Sequence, residues 1–395
     1  MIDLEIKNDR DCMGCYGCYN ICPVQCITME SNNEGFWYPK VDYDKCIKCK
    51  KCINVCPIIN KAVPDNEPLA YACYNKNENI RLDSSSGGVF TLVANEILKN
   101  NGVVFGVQLN QDFNAIHSYT ESKEGLEKYR GSKYLQSRVG DTYKEVKGFL
   151  DKDRDVLFTG TPCQISGLKS YLGKPYPNLF CMDNICHGVP SPKVWGKYVD
   201  FREKKSGSTT QRIAFRLKHE GWKLYSVLFV FTNNTEYREN QKKDLFMRAF
   251  LKDICLRPSC YDCEFKSIHR KSDITMADFW GIQNIAPELD DDRGTSLIFV
   301  NSDSGENMFD RIKNNMIFKD VNINEAISYN PAAIKSVSCH PKRNEFFNEL
   351  DILEFDTLVN KYCKDKFTVK IKRLCISTLQ KTGTLELAKS ILKRK

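Results

Sequence analysis

Two short runs of cysteine constrain this chain more than any other feature. Cys12-Met-Gly-Cys15-Tyr-Gly-Cys18-Tyr-Asn-Ile-Cys22-Pro23 is echoed 34 residues later by Cys46-Ile-Lys-Cys49-Lys-Lys-Cys52-Ile-Asn-Val-Cys56-Pro57. Both spell C-x2-C-x2-C-x3-C-P, the rhythm of bacterial iron–sulfur ligation. Cysteines at i, i+3 and i+6 on a tight loop aim three thiolates at three corners of one cubane. The fourth starts a helix, faces away, and in two-cluster ferredoxins serves the other cluster. The spacing predicts one quartet of Cys12, Cys15, Cys18 and Cys56, and another of Cys46, Cys49, Cys52 and Cys22. Pro23 and Pro57 turn the chain away after each crossing. A zinc ribbon uses paired C-x2-C knuckles, a pattern these runs fit poorly. Cys26 stands outside the rhythm and reads as a small buried hydrophobe. Gly14 and Gly17 relieve crowding beside the first cluster. Lys48, Lys50 and Lys51 replace them at the second, as a solvated loop, a means of raising its potential, or a greeting to an acidic partner.

Nine of the 19 cysteines fall within residues 1–60. The N-terminus carries acids where a secretory signal would carry a basic and then apolar stretch, so the expected setting is intracellular and cytoplasmic. Thiols stay reduced there, and an odd cysteine count leaves one unpaired, so metal or redox use outweighs disulfides. The chain has 395 residues, 42% apolar and 27% charged, which suggests two or three globular domains and excludes disorder. No apolar stretch reaches the ~18 residues of a membrane span. The formal charge of +8 omits bound metal. Each four-iron cluster on four thiolates adds about −2, so the balance is no argument for nucleic acid. One dense basic run, Lys366, Lys370, Lys372 and Arg373, reads as a solvated surface.

Residues 61–69, polar with two prolines, read as a linker. Beyond them strands and helices alternate. Strands are expected at 71–74, 103–107, 155–158 and 179–185, and helices at 89–99, near 139–151, from after Gly160-Thr-Pro-Cys163 to about 172, and at 192–205. This is an α/β pattern. Residues 212–232 read as two strands, further strands fall at 273–280 and 295–301, and 340–395 as helical and basic. Cys255-Leu-Arg-Pro-Ser-Cys260-Tyr-Asp-Cys263 has a C-x4-C-x2-C spacing that leaves one ligand to come from elsewhere. Cys186 at a strand end can supply it, and Cys163 competes. Spacing alone also allows zinc here.

At these residues the chain resembles the β-subunit family of coenzyme F420 hydrogenases and dehydrogenases, placed behind a two-cluster ferredoxin domain. The stretches that carry the resemblance are Ser85-Ser-Gly-Gly-Val-Phe90, Arg130-Gly-Ser-Lys-Tyr134, Gly160-Thr-Pro-Cys-Gln164, Cys186-His-Gly-Val-Pro-Ser191, the cysteines at 255–263, and Ser272-Asp273-Ile274-Thr275 through Asp278-Phe-Trp-Gly281. The resemblance implies FAD, a third four-iron cluster near it, and hydride exchange with coenzyme F420. It does not fix the substrate: similar proteins stand in surface-polysaccharide gene neighbourhoods, and a plant relative reduces a chlorophyll derivative.

The expected architecture is an α+β ferredoxin-like iron–sulfur domain at 1–60, a linker at 61–69, a larger α/β FAD-binding domain with a mixed sheet at 70–338, and a basic helical segment at 339–395. The expected metal ligands at the third site are Cys186, Cys255, Cys260 and Cys263, with Cys163 as the alternative to Cys186. Glycine turns at helix N-termini favour a pyrophosphate. The flavin contacts are therefore expected at Ser86, Gly87, Gly88, Ser132, Lys133, Gly160 and Thr161. There is no G-x-G-x-x-G. His187 is either a contact to flavin or substrate, and so the one catalytic candidate, or a structural histidine. Asp278 and Trp280 read as core and strand-end residues. The function expected is that of an oxidoreductase joining ferredoxin-type clusters to FAD, with ferredoxin or a redox partner subunit at one end and an organic hydride carrier such as coenzyme F420 at the other. Two other readings stand beside it: a non-catalytic electron-transfer subunit, and a flavin-dependent reductase in surface-polysaccharide biosynthesis.

Overall fold

A computed structural model describes residues 1–364. Of the helical segment expected over 339–395, Arg343–Glu349 and Phe355–Tyr362 are formed, and the basic run from Lys366 to Arg373 lies outside the described residues. The N-terminal module is a hairpin, β1 (Ile27–Ser31) against β2 (Trp37–Val41), with two short helices, Gly17–Ile21 and Lys51–Asn54. Each helix follows a residue in the left-handed conformation, Tyr16 or Lys50. Its core is unusual in composition: Ile2, Ile27, Val41 and Val55 pack with Cys18, Cys22 and Cys52. Residues 61–68 carry no regular structure, yet Asn66 donates to the carbonyls of Arg270 and Asn301 at 3.1 and 2.8 Å.

The rest is built on eight strands: β3 (Leu69–Asn75), β4 (Val103–Leu109), β5 (Ala115–Thr120), β6 (Val156–Gly160), β7 (Leu179–Asn184), β11 (Ile274–Asp278), β12 (Ser296–Val300) and β13 (Met316–Asp320). They lie in the order β13-β3-β12-β11-β7-β6-β4-β5. The middle four, β11, β7, β6 and β4, run parallel, and every other pairing is antiparallel. Val156-Leu157-Phe158 and the whole of β12 are buried, as near-continuous apolar strands covered on both faces must be. Helices Val89–Lys99, Thr142–Leu150 and Pro162–Leu172 supply the cover, each through one apolar stripe. Each Leu, Ile or Phe so buried contributes about 1.5–3 kcal/mol. A second antiparallel sheet, β8 (Thr210–Leu217), β9 (Ser226–Phe231) and β10 (Glu236–Asn240), packs Phe215, Val227 and Phe229 onto Trp195 and Tyr198 of helix Pro192–Ser206. Among the described residues no helix is long and apolar enough to cross a membrane.

One consequence of this order positions the site. β6 and β7 are parallel neighbours, so their carboxyl ends lie side by side on one edge of the sheet. In open α/β sheets that edge is where ligands bind.

Candidate redox centre

Cys12, Cys15, Cys18 and Cys56 line one cavity of about 290 Å³ at the boundary between the N-terminal module and the larger body. The loop that carries them turns through Gly14 and Tyr16, both at φ +67. Gly14 has no alternative: a Cβ there would meet Gln136 Nε2 at 2.5 Å and Arg257 Nη1 at 3.1 Å. Burial, then the charges Cys12 and Cys56 would carry, push the Cys15 thiol up to about 12. Burial, then Cys15 and Cys12, likewise raise Cys18. Four thiols converging on one cavity are a donor set a cationic iron core suits, since a coordinating thiol is deprotonated outright.

Cys22, Cys46, Cys49 and Cys52 line a second cavity. Each cavity therefore takes three cysteines from one run and its fourth from the other. Cys26 is buried, but it is no bystander: its Sγ lies 3.4 Å from Cys22 Sγ, in the wall of the same cavity.

A third quartet gathers at the carboxyl edge of the large sheet. Cys163 follows β6 and Cys186 follows β7. Cys260 and Cys263 join them from the turn Pro258–Asp262, around one cavity. The thiol of Cys163 is raised first by burial and next by Cys263, with Cys186 and Cys260 adding to it. Cys260 is pushed to about 12 by burial and by Cys186 and Cys263. Thr161 Oγ1 lies 3.0 Å from Cys163 Sγ. Gly188, at φ +143, lets the chain pass, because a Cβ there would meet Leu256 Cδ1 at 2.9 Å.

The structure thus brings Cys163 and Cys186 together, where spacing had made them competitors, and sets Cys255 apart. Cys255 is fully buried in an apolar cluster with Trp195, Phe246 and Ile254. The reason is local. Pro190 pairs with Leu256 in an antiparallel bridge, which carries Cys255 behind the site and delivers only the last two cysteines of the triplet to it.

Met13 lines both the first cavity and the third, so the two share a wall. Arg257, fully buried, fastens that boundary. It donates from Nε to Cys12 O at 2.9 Å, from Nη1 to Gln136 Oε1 at 3.2 Å and from Nη2 to Trp37 O at 3.1 Å.

The residues expected to touch a flavin dinucleotide fall into two groups. Ser86, Gly87, Gly88, Ser132 and Lys133 come together. Ser132 donates through N and Oγ to Ser85 Oγ at 2.7 and 2.9 Å, and Ser86 Oγ donates to Thr295 O at 2.8 Å. Gly87 is required by packing, since a Cβ would lie 2.5 Å from Cys73 O. Gly88, at φ +80, opens the eleven-residue helix Val89–Lys99 without a side-chain cap, which leaves its first N–H groups for an anion. Lys133 Nζ donates to Lys128 O and Arg130 O at 2.9 and 3.0 Å. Gly160 and Thr161 stand apart, beside Cys163. The Thr161 N–H is already taken by Gln164 Oε1 at 2.9 Å, so that turn is poorly suited to a pyrophosphate.

Sequence reasoning missed Lys218. It is buried beside the serine–glycine turn, and its Nζ donates to Arg81 O, Ser86 O and Arg293 O at 2.7–2.8 Å. Desolvation, then Arg216, pull its ammonium down to about 7. With its three donors spent on these carbonyls, Lys218 braces the serine–glycine turn beside the uncapped helix end. Asp278, at the end of β11, pairs with buried Arg216 and accepts from Trp222 Nε1 at 3.1 Å, while Trp280 stacks on Trp222 at 4.9 Å. His187 lines the third cavity, with Nε2 2.6 Å from Asp253 Oδ1.

Residues 11–59 match the family described as 4Fe-4S dicluster domain, and residues 153–326 match the C terminus of the coenzyme F420 hydrogenase/dehydrogenase beta subunit. No curated protein matches the chain. Among solved structures, a chain from the xenon derivatization of the F420-reducing NiFe hydrogenase complex from Methanosarcina barkeri is similar. It is 15% identical, with a TM-score of 0.46, over 74% of this chain and 90% of that one. The chain thus carries a stretch similar to the C terminus of the coenzyme F420 hydrogenase/dehydrogenase beta subunit, with a stretch similar to a 4Fe-4S dicluster domain ahead of it.

Proposed function

We propose that the chain is an iron–sulfur flavoprotein oxidoreductase, linking one-electron traffic in its N-terminal module to hydride exchange with coenzyme F420 or another organic two-electron partner. The observation that carries this reading is the third quartet. Cys163 and Cys186 at adjoining strand ends close with Cys260 and Cys263 on a cavity that shares its Met13 wall with the first N-terminal cavity. A dicluster domain built against a third thiol site suits a relay better than an isolated store of iron.

The cofactors would supply the redox chemistry itself, the clusters moving single electrons and FAD converting between single electrons and a hydride. The chain's own residues hold, orient and shield. The three quartets would hold iron. Arg257 fixes the first loop against the large body, and Gly14 allows that close approach. The uncapped start of helix Val89–Lys99 would hold the pyrophosphate of FAD, with Lys218 bracing the turn through Ser86 O and with Ser132 and Lys133 beside it. His187, oriented by Asp253, faces the third cavity and not the serine–glycine turn, which favours a supporting role there.

Anaerobic reconstitution with iron, sulfide and FAD tests the reading. Three four-iron clusters correspond to roughly twelve irons per chain, alongside one flavin. Reduced coenzyme F420 should then be oxidised with an artificial acceptor. A preparation that keeps zinc and takes up no flavin would overturn the proposal. Turnover that appears only when a partner chain is added would instead assign the chain as an electron-transfer subunit. Flavin binding without exchange with coenzyme F420 would move the organic partner to another class.

A further inference from the structure

The two cysteine loops share a backbone and differ in what they face. Gly14 and Tyr16 in the first run correspond to Lys48 and Lys50 in the second, and all four hold positive φ, at +67, +67, +55 and +59. A left-handed backbone disfavours an L side chain and suits glycine. The first loop uses glycine because Gln136 and Arg257 press against it. The second loop has no such neighbour and carries two lysines in that conformation.

The surroundings agree. Tyr16 is 2% exposed, whereas Ile47 is 61% exposed and Lys48, Cys49, Lys50 and Lys51 are all exposed. Lys50 and Lys51 are themselves wall residues of the second cavity, beside Cys46, Cys49 and Cys52. Lys45 is paired with Asp42 at 3.0 Å, and Asp3 accepts from Tyr43 at 2.9 Å. Lys48, Lys50 and Lys51 form no ion pair among the described residues; of the acids at this end of the module, Asp42 is taken by Lys45, and Asp3, Glu5 and Asp44 lie on neighbouring segments without an ion pair. The result is a cationic collar around exposed Ile47 and Val24, directly over the second quartet.

We propose that this loop, Lys45 to Lys51 with Val24, is the docking surface for an acidic one-electron carrier protein of the small ferredoxin type. It rests on the cluster reading above and adds a direction to it: the second quartet is the outer terminus and the first faces inward. Charge complementarity selects the partner. Uncompensated lysines steer an acidic surface to the loop, and the exposed apolar centre gives it something to bury. Each encounter moves one electron between carrier and chain, with no bond made or broken; the partner that gives up the electron is oxidised and the one that takes it is reduced.

The test measures binding of an acidic 2Fe–2S ferredoxin to the reconstituted full-length chain. Two variants separate charge from fold. K48Q/K50Q/K51Q removes the collar. K48G/K50G removes two charges while easing the positive φ, so the loop still folds. Both should lower the association rate about tenfold and flatten its fall between low salt and roughly 0.15 M. Iron content and the reduced-state paramagnetic signals should be unchanged, and K242Q/K243Q, on β10's flank, should bind like wild type. Wild-type association and salt dependence in both collar variants, with iron intact, overturns the docking surface. Iron missing from the wild-type chain shows separately, in the metal analysis, and overturns the cluster reading and this proposal with it.

Discussion

Cys255 has the spacing of a ligand and the surroundings of a core residue. Cys255→Ser should leave bound iron unchanged while lowering stability by about 1–3 kcal/mol, the range for an unpaired hydroxyl in an apolar core. Cys163→Ser should remove roughly a third of the iron. Metal analysis beside denaturant unfolding distinguishes them, and iron loss in the Cys255 variant would contradict the ligand set. His117 gives a pH-dependent case. It is buried, its ring stacks on Phe158 at 5.4 Å, Nε2 lies 3.2 Å from Thr159 O, and Nδ1 has no partner. Burial holds it down to about 4. The unfolded chain takes up this proton near pH 6.5 and the folded chain does not until about 4. Stability from this residue is therefore complete above about pH 6.5 and shrinks as pH falls toward 4, by at most about 3 kcal/mol. Unfolding midpoints compared across that window should fall less steeply in His117→Phe; equal slopes would show that other groups govern the acid limb. The N-terminal quartets were legible because ligation there is a local rhythm, readable over eleven residues. At the third site Cys186, Cys260 and Cys263 were legible with Cys163 as an alternative, but that Cys163 and Cys186 stand together and Cys255 apart was not, because the first two lie far apart in the chain and meet only through strand order. Lys218 carried no sequence signal at all, since nothing in its neighbours announces three converging carbonyls.

Among the elements, apolar runs proved easier to read than edges. Helix Val89–Lys99 falls where the stop signal Asn100-Asn101-Gly102 places it, and β6, β7 and β12 lie within a residue or two of their apolar cores. β5 and β13 escaped notice. Ala-Ile-His-Ser-Tyr-Thr and Met-Ile-Phe-Lys-Asp are short, half-polar strands at the sheet's two rims, where one side needs no apolar cover. Strand order was not legible either, so neither was the edge on which the third site stands. The element that most needs testing is the turn beginning at Arg257. Arg257→Ala would leave Cys12 O and Trp37 O without this donor inside a buried boundary. A loss of about 2–3 kcal/mol is expected, with faster protease cleavage across 61–68. Unchanged protease resistance would mean that the other contacts hold the module alone.

At the scale of the whole molecule, the N-terminal module is stitched to the larger body and does not dangle from it. Arg343 clasps Glu34 through two bonds of 2.7 and 2.5 Å, Lys193 reaches Asn33 O at 3.0 Å, and Gly35 sits so close to Lys193 that a Cβ would lie 2.4 Å from it. Unfolding should accordingly be one event, with far-ultraviolet ellipticity and the visible absorbance of bound iron lost at the same denaturant concentration. Two separated transitions would show a module that melts independently. The exchange of Cys22 and Cys56 between cavities reaches further, into how such a protein is made. The second cage lacks anchors until translation has passed Cys52 and the first until it has passed Cys56, so iron offered to a chain that stops before the second run meets three anchors of one cage and one of the other. Maturation must wait for the second half of the module, and then the two metal sites become available in close succession.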